Sequence, residues 1–227
     1  MVIRQRAIHT EDKHERHHAI LDATERLLVR APVRVANMAE VADEAGLAKG
    51  TVYLYFSSKD ELLLALHERH VDDFFGALIA LLARTEPVDI GEIQALTRTH
   101  IVERPTFLPL ATRCFGLLET EVPREVALAF KERMAERLHA ASVGLERHFP
   151  ELAPGGGVSL LRHSYALIVG LWQMTANQND LVARTCHVDA IDYPSELQRA
   201  LGALWDGTIG RPLTPRADDA TQRTRNE

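Results

Sequence analysis

One run of residues decides what kind of fold this chain can form. "TVYLYF", residues 51–56, is built of β-branched, aromatic and leucine side chains and has the composition of a strand. As a strand it would separate Val52, Leu54 and Phe56 from Thr51, Tyr53 and Tyr55. As a helix it places Val52 and Phe56 on one stripe, Thr51 and Tyr55 on a second, and Lys49 and Tyr53 on a third. Periodicity does not choose between the two. Isolation does: the chain offers no convincing second strand, and a lone strand leaves its backbone groups unsatisfied. The run is therefore expected to be helical and the fold all-α.

The rest of the chain reads the same way. Asp12 and Glu15 have the spacing of a capping box, followed by the stripe Ile20, Ala23, Leu27 up to about Arg30, where Pro32 ends the helix. Asn37 with Glu40 opens a second helix whose inward residues are Met38, Val41, Ala42 and Ala45, and Gly46 stops it. "NMAEVADEAGLAKGTVYLYF" thus has the layout helix, glycine-containing turn, helix. Ser58 and Glu61 form a further capping box, opening a long helix with the stripe Leu62, Leu63, Leu66, His70, Phe74, Leu78, Leu81. Pro87 and Pro105 bracket a helix near 89–103, and Pro123 separates helices near 107–120 and 124–148. After the loop around Pro154 and Gly155-Gly156-Gly157, apolar helices are expected near 158–178 and 195–209. Residues 12–60 are expected as one domain and 61–210 as another, with 1–11 and 211–227 as disordered tails.

Charge narrows the partners. The chain has 227 residues and a net charge of −6, which does not suggest nucleic acid. Residues 1–60 hold nine Lys/Arg and nine Asp/Glu, so all the acidity lies beyond them. A local basic patch on a neutral domain suffices for a nucleic acid. The cysteines, Cys114 and Cys186, lie far apart, and free thiols in a reducing cytoplasm are the simpler reading. The N-terminal residues have no apolar segment of the signal-peptide kind, and the apolar run 158–176 is interrupted by Arg162, His163 and Gln173, so neither export nor a membrane span is expected.

Across residues 16–66 these motifs resemble the DNA-binding domain of the TetR family of transcriptional regulators. The family pattern is met by Ile20, Ala23 and Leu27; by Val41, Ala42, Ala45 and Gly46; by Gly50, Tyr53, Tyr55 and Phe56; and by Lys59 and Leu62. The chain departs from it at Ala31-Pro32-Val33-Arg34, where a glycine and an aromatic are usual, at Asn37 in place of Thr, and at Ala48 in place of Ser. Asn caps a helix as well as Thr does, whereas Ala48 offers no hydroxyl to a phosphate. The resemblance implies a three-helix helix-turn-helix domain, with residues 49–55 as recognition helix, joined to a C-terminal helical domain for ligand binding and dimerisation.

By resemblance and chemistry together, Asn37, Lys49, Gly50, Thr51, Tyr53, Tyr55 and Lys59 are the expected DNA-binding residues. Lysine donates to guanine or phosphate, tyrosine hydroxyls hold phosphates and set register, and Gly50 admits a close backbone approach. Lys59 sits where a helix N-terminus already favours a phosphate. Tyr53 could instead be a packing residue, Asn37 only a cap, and Leu54 either a partner for a thymine methyl or simply exposed. Arg4, Arg6 and Lys13 form either an arm on DNA or a solvated tail. A second motif, His14-Glu15-x-x-His18, has metalloprotease spacing but lies in the first turn of the first helix with no third ligand, so no metal, cofactor or enzymatic activity is expected.

The expected partner is a palindromic operator in double-stranded DNA, read by a homodimer. Surplus apolar surface on the last two helices names Leu161, Tyr165, Ile168, Leu197, Leu201 and Trp205 for the dimer contact. A small, largely apolar effector is expected among Phe74, His100, Phe107, Cys114, Phe130, Met134, His163, Trp172 and Asn177. It would release a repressor by changing the spacing of the two DNA-binding heads through the long helix that starts at Ser58. The alternative is an activator or global regulator without a small ligand.

Overall fold

The computed structural model describes residues 2–31, 34–176 and 192–210. Among them the fold is all-α, with no strand. The helices are α1 (Val2–Arg30), α2 (Met38–Ala45), α3 (Lys49–Tyr55), α4 (Lys59–Leu82), α5 (Ile90–Thr97), α6 (Phe107–Thr120), α7 (Arg124–His148), α8 (Gly156–Ala176) and α9 (Tyr193–Ile209), and a π-helical turn, Arg98–Val102, continues α5. None of the described helices is long and apolar enough to cross a membrane.

Helix ends follow the punctuation of the sequence. α1 stops two residues before Pro32, because the residue preceding a proline is driven out of the helical region. α6 carries Pro109 in its first turn, where the missing N–H costs nothing. Asp192 caps α9 by accepting from the Ser195 N–H at 3.3 Å. Two starts differ from expectation. α1 begins at Val2, so Asp12 is an interior helical position and residues 2–11 are helix where a tail was expected; no proline or glycine interrupts them. At α4, Ser58 Oγ accepts from the Glu61 N–H at 3.1 Å as a capping box requires, but the Glu61 carboxylate turns back to Ser57, whose N–H donates at 2.8 Å.

The chain divides into two compact units, Met1–Ala77 with Ala95–Ala135, and Leu78–Gln94 with Glu136–Glu227. The first unit takes in α1–α3, most of α4, the π turn, α6 and the start of α7. Its core joins Ile20, Val41, Val52, Phe56, Leu62 and Leu66 with Leu110, Leu117 and Phe130. A single carboxylate ties its α1 and α4 to the turn before α6. Glu25 accepts from Arg69 at 2.7 Å, from His70 Nε2 at 2.9 Å and from the Thr106 hydroxyl at 3.2 Å.

In the second unit α8 and α9 pack along one seam. The Tyr193 hydroxyl donates to the Ile168 carbonyl at 3.0 Å, and the Trp205 indole N–H donates to Ser164 Oγ at 3.0 Å. α7 and α8 approach so closely that a Cβ on Gly157 would stand 2.9 Å from the Ser142 Cα and carbonyl oxygen. The carbonyl of Leu82, at the end of α4, accepts from Arg147 and contacts His148 Nε2 at 3.0 Å, which satisfies an otherwise orphan helix-end acceptor.

Candidate nucleic-acid interface

The α2–α3 segment is held by caps at both ends of α2, made by side chains at its start and by backbone at its end. Asn37 Oδ1 accepts from the Ala39 and Glu40 N–H groups at 2.9 and 3.1 Å, and the Glu40 carboxylate returns to the Asn37 N–H at 2.8 Å. This is a complete capping box, worth about 1 kcal/mol. Gly46 ends α2 at φ 66°, the left-handed conformation that glycine adopts at no steric cost, and its N–H reaches the Ala42 and Asp43 carbonyls. The chain thereby reverses over three residues into α3. Asn37 is exposed, and its side-chain oxygen is committed to the cap.

α3 has a helical anchor and a helical face. Val52 is fully buried and Phe56, which caps the C-terminus, is nearly so, with His17 of α1 5.0 Å from its ring centroid. Gly50 and Leu54 each lie two residues from Val52, about 200° round the helix in either direction. They occupy the middle of the outward face. Nothing stands within 4 Å of a Cβ built on Gly50, and Leu54 is 83% exposed. Tyr53 flanks that face, exposed, with Lys49 Nζ 5.9 Å from its ring centroid. Thr51 is half-buried on the other flank.

Tyr55, also expected at DNA, is turned partly toward the core. It is half-buried and packs against the core of the first unit, because its direction on the helix is nearer Val52 than Leu54. The residue that the sequence reading left undecided, Leu54, takes the central outward position. The stripe containing Val52 and Phe56 was legible in the sequence. Its opposite pole would have pointed to Leu54 had side-chain direction been weighed above the chemistry of tyrosine.

Charge on this surface comes from few residues. Arg26 and Arg30 of α1 both bond to Glu44 of α2, and Arg34 bonds to Glu40, and these contacts hold both carboxyls below the usual range. Lys49 and Lys59 have no ion pair among the described residues. Lys59 opens α4 half-buried, beside the acidic Asp60 and Glu61 of the same turn. Lys13, His14 and His18 are exposed on α1, and no group of three or more His, Cys, Asp or Glu among the described residues is arranged to hold a metal ion.

The residues expected around an effector divide between the units. Phe74, His100, Phe107, Cys114, Phe130 and Met134 belong to the first, His163 and Trp172 to the second, and Asn177 lies outside the described residues. Phe107, Cys114 and Phe130 are buried core, while Phe74, His100 and Met134 are half-buried. The Phe107 ring packs between two histidines of α4, edge-on to His67 at 5.3 Å and stacked on His70 at 6.2 Å. Neither the His67 contact nor the Glu25–His70 bond was foreseen, since each joins residues far apart in the chain. Burial pushes the His67 imidazole down to about 3 and His70 to about 4, so both are neutral near pH 7. It also pushes the Cys114 thiol up to about 12. In the second unit His163 is exposed, and Trp172 meets the Tyr193 ring edge-on at 5.4 Å.

The dimer residues are also spoken for. Leu161, Ile168, Leu197, Leu201 and Trp205 are at most 7% exposed within one chain, and Tyr165 is half-buried. Trp205 and Tyr193 of α9 bond to Ser164 and Ile168 of α8, so these side chains expose little surface within one chain.

Comparison with known proteins follows the two halves of the chain. A family model described as "Bacterial regulatory proteins, tetR family" matches residues 20–66, and one described as "Tetracyclin repressor-like, C-terminal domain" matches residues 68–212. An uncharacterized HTH-type transcriptional regulator of Haemophilus influenzae is 40% identical over 68 residues, which are 30% of this chain and 36% of that protein. The HTH-type transcriptional activator FasR of Mycolicibacterium smegmatis is 39% identical over 71 residues, 31% of this chain and 32% of FasR. The chain thus spans about a third of the length of the curated relatives it matches. Among solved structures, SmeT, the repressor of the Stenotrophomonas maltophilia multidrug efflux pump SmeDEF, superposes with a TM-score of 0.53 at 19% identity, over 87% of this chain and 94% of SmeT. With both halves of its helical architecture matched, this chain belongs to the TetR family of bacterial regulatory proteins.

Proposed function

We propose that the protein is a sequence-specific, dimeric DNA-binding regulator of transcription that lays the outward face of α3 in the major groove. The observation that carries this reading is the split of α3 into a buried anchor, Val52 and Phe56, and an exposed face bearing Lys49, Gly50, Tyr53 and Leu54. A seven-residue helix with so little buried surface gains little from its own packing. Its exposed face suits a groove about 12 Å wide. Lys49 and Lys59 supply positive charge, and the Tyr53 hydroxyl a phosphate contact. Asn37 orders the entry to α2, and its amide nitrogen is left for a phosphate.

Two copies are needed to read a palindrome. We assign their contact to the outer faces of α8, where Ala166 and Met174 are exposed, and of α9, where Ala203 is exposed, and not to the seam between the helices. In the first reading a small, largely apolar effector, held by the aromatic and sulfur-bearing interior of the helical domain, releases a repressor by way of α4. The second reading is an activator, and it is favoured by the likeness to FasR. The setting is the cytoplasm, in keeping with the buried free thiol of Cys114.

The test is electrophoretic binding of the full-length protein to DNA from upstream of its own gene. Retarded duplex, with binding lost in Lys49→Ala and Tyr53→Ala proteins that keep their helical content, is expected. Unchanged binding by both variants would remove α3 as the contact. Transcription from that DNA in a reporter then separates repression from activation.

A further inference from the structure

We infer that Leu54 reads thymine in the operator through the 5-methyl group of the base. The inference rests on the proposal that α3 lies in the major groove, and it names the readout made there. Three observations lead to it. Leu54 is the most exposed large hydrophobic side chain among the described residues, at 83%, and the next, Met174, is at 61%. It stands opposite the buried Val52, at the centre of the face that points away from the core. Its partner at that centre, four residues earlier and on the same side, is Gly50, which has no side chain and on which an added Cβ would meet nothing within 4 Å. The backbone at Gly50 can therefore approach the base edges, and the first side chain to enter the groove beyond it is Leu54.

Leucine has no hydrogen-bonding group, so it cannot distinguish the donor and acceptor patterns that mark the other base edges. The thymine methyl is the most prominent apolar group that the major groove presents, and a leucine at its floor is best matched there. A guanine, adenine or cytosine edge at that position would bury a polar group against an apolar one, which is unfavourable. Lys49 and Tyr53 on one flank and the half-buried Thr51 on the other offer polar groups that can set register on the backbone. Specificity at the centre then comes from apolar contact, and the dimer repeats it in each half-site.

The experiment begins with selection of duplexes from a random library by the full-length protein, which should enrich thymine at one fixed position in each half-site. Fluorescence anisotropy then compares the selected duplex with one carrying deoxyuridine at that position, which lacks only the methyl group. For the wild-type protein, affinity should fall about four-fold for each methyl removed, the worth of one buried methyl group. For Leu54→Ala, the loss on going to uracil should shrink below about two-fold, because the methyl no longer has its partner. Leu54 is exposed, so this variant should fold, and the uracil comparison on the wild-type protein needs no variant. Equal binding of thymine and uracil duplexes, or a methyl effect that survives in Leu54→Ala, overturns the inference. If selection enriches a sequence and Tyr53→Ala abolishes binding while uracil changes nothing, only the role of Leu54 fails. If no sequence is enriched at all, the placement of α3 fails with it.

Discussion

Replacing Gly50 with alanine separates what α3 does for the fold from what it does for DNA. In the free protein the added Cβ meets nothing within 4 Å, and Gly50 does not have a positive φ. The substitution is therefore free of clash and strain, and it removes backbone freedom from the unfolded chain. Alanine is favoured over glycine in a helix by about 0.5–1 kcal/mol, which for a chain of this size corresponds to a rise in Tm of about 1–4 °C. DNA affinity should move the other way. A methyl group inserted where the backbone meets base edges costs about 1–3 kcal/mol by overpacking, a loss of about 5- to 150-fold. Thermal unfolding followed by circular dichroism measures the first effect, and anisotropy titration on a selected duplex the second. A lower Tm would mean that Gly50 is not in open space. An unchanged affinity would mean that the duplex does not approach α3 at its outward centre.

Other substitutions probe neighbouring steps of the same account. Tyr53→Ala should weaken DNA binding with little change in Tm, whereas Tyr55→Ala should lower Tm first, because Tyr55 packs on the core; paired melting and binding curves decide, and a larger DNA effect with an unchanged melt for Tyr55→Ala would reverse the assignment. Gly157→Ala should destabilise the second unit by about 1–3 kcal/mol, since the new Cβ lands 2.9 Å from Ser142 backbone atoms, and an unaltered denaturation midpoint would show that α7 and α8 can separate at no cost. Acidification should destabilise the protein below pH 6.5. The unfolded chain then takes up protons that His67 and His70, held down to about 3 and 4, refuse in the folded state, so stability is fully present above pH 6.5 and falls as pH drops toward those values. Each histidine adds a slope approaching about 1.4 kcal/mol per pH unit, and His67→Leu should remove its share in chemical denaturation between pH 6.5 and 4.5; an identical slope in the variant would count against the buried neutral imidazole.

Much of the architecture could be read from punctuation. Pro32, Pro87, Pro105 and Pro123, the capping pair Asn37 and Glu40, and Gly46 mark helix ends by rules that act over four residues or fewer. The apparent strand at residues 51–56 resolved into α3 by the same local logic, once no pairing partner was found. Distance in sequence is what hid the rest. That Glu25 would gather Arg69, His70 and Thr106 depends on how three segments pack, and no local pattern encodes it. The apolar residues of α8 and α9 signalled burial correctly, but hydrophobicity does not say whether the covering surface belongs to the same chain or to another. Here Leu197, Leu201 and Trp205 are covered within the chain. At α3 the outward position of Leu54 was hidden for a different reason. Direction on a seven-residue helix is set by its anchor, and the pole opposite Val52 belongs to Leu54, whose side chain carries no polar group to draw notice.

Genome-wide footprinting of the bound DNA, in parallel for the wild-type protein and a Lys49→Ala/Tyr53→Ala double variant, tests the central claim most directly. Recovery of a palindromic site, its half-sites one helical turn or a multiple of it apart, from the wild-type protein and its loss from the variant is the expected result. Recovery of no common sequence, or of the same sites from both proteins, would contradict the assignment of α3 as the surface that reads DNA.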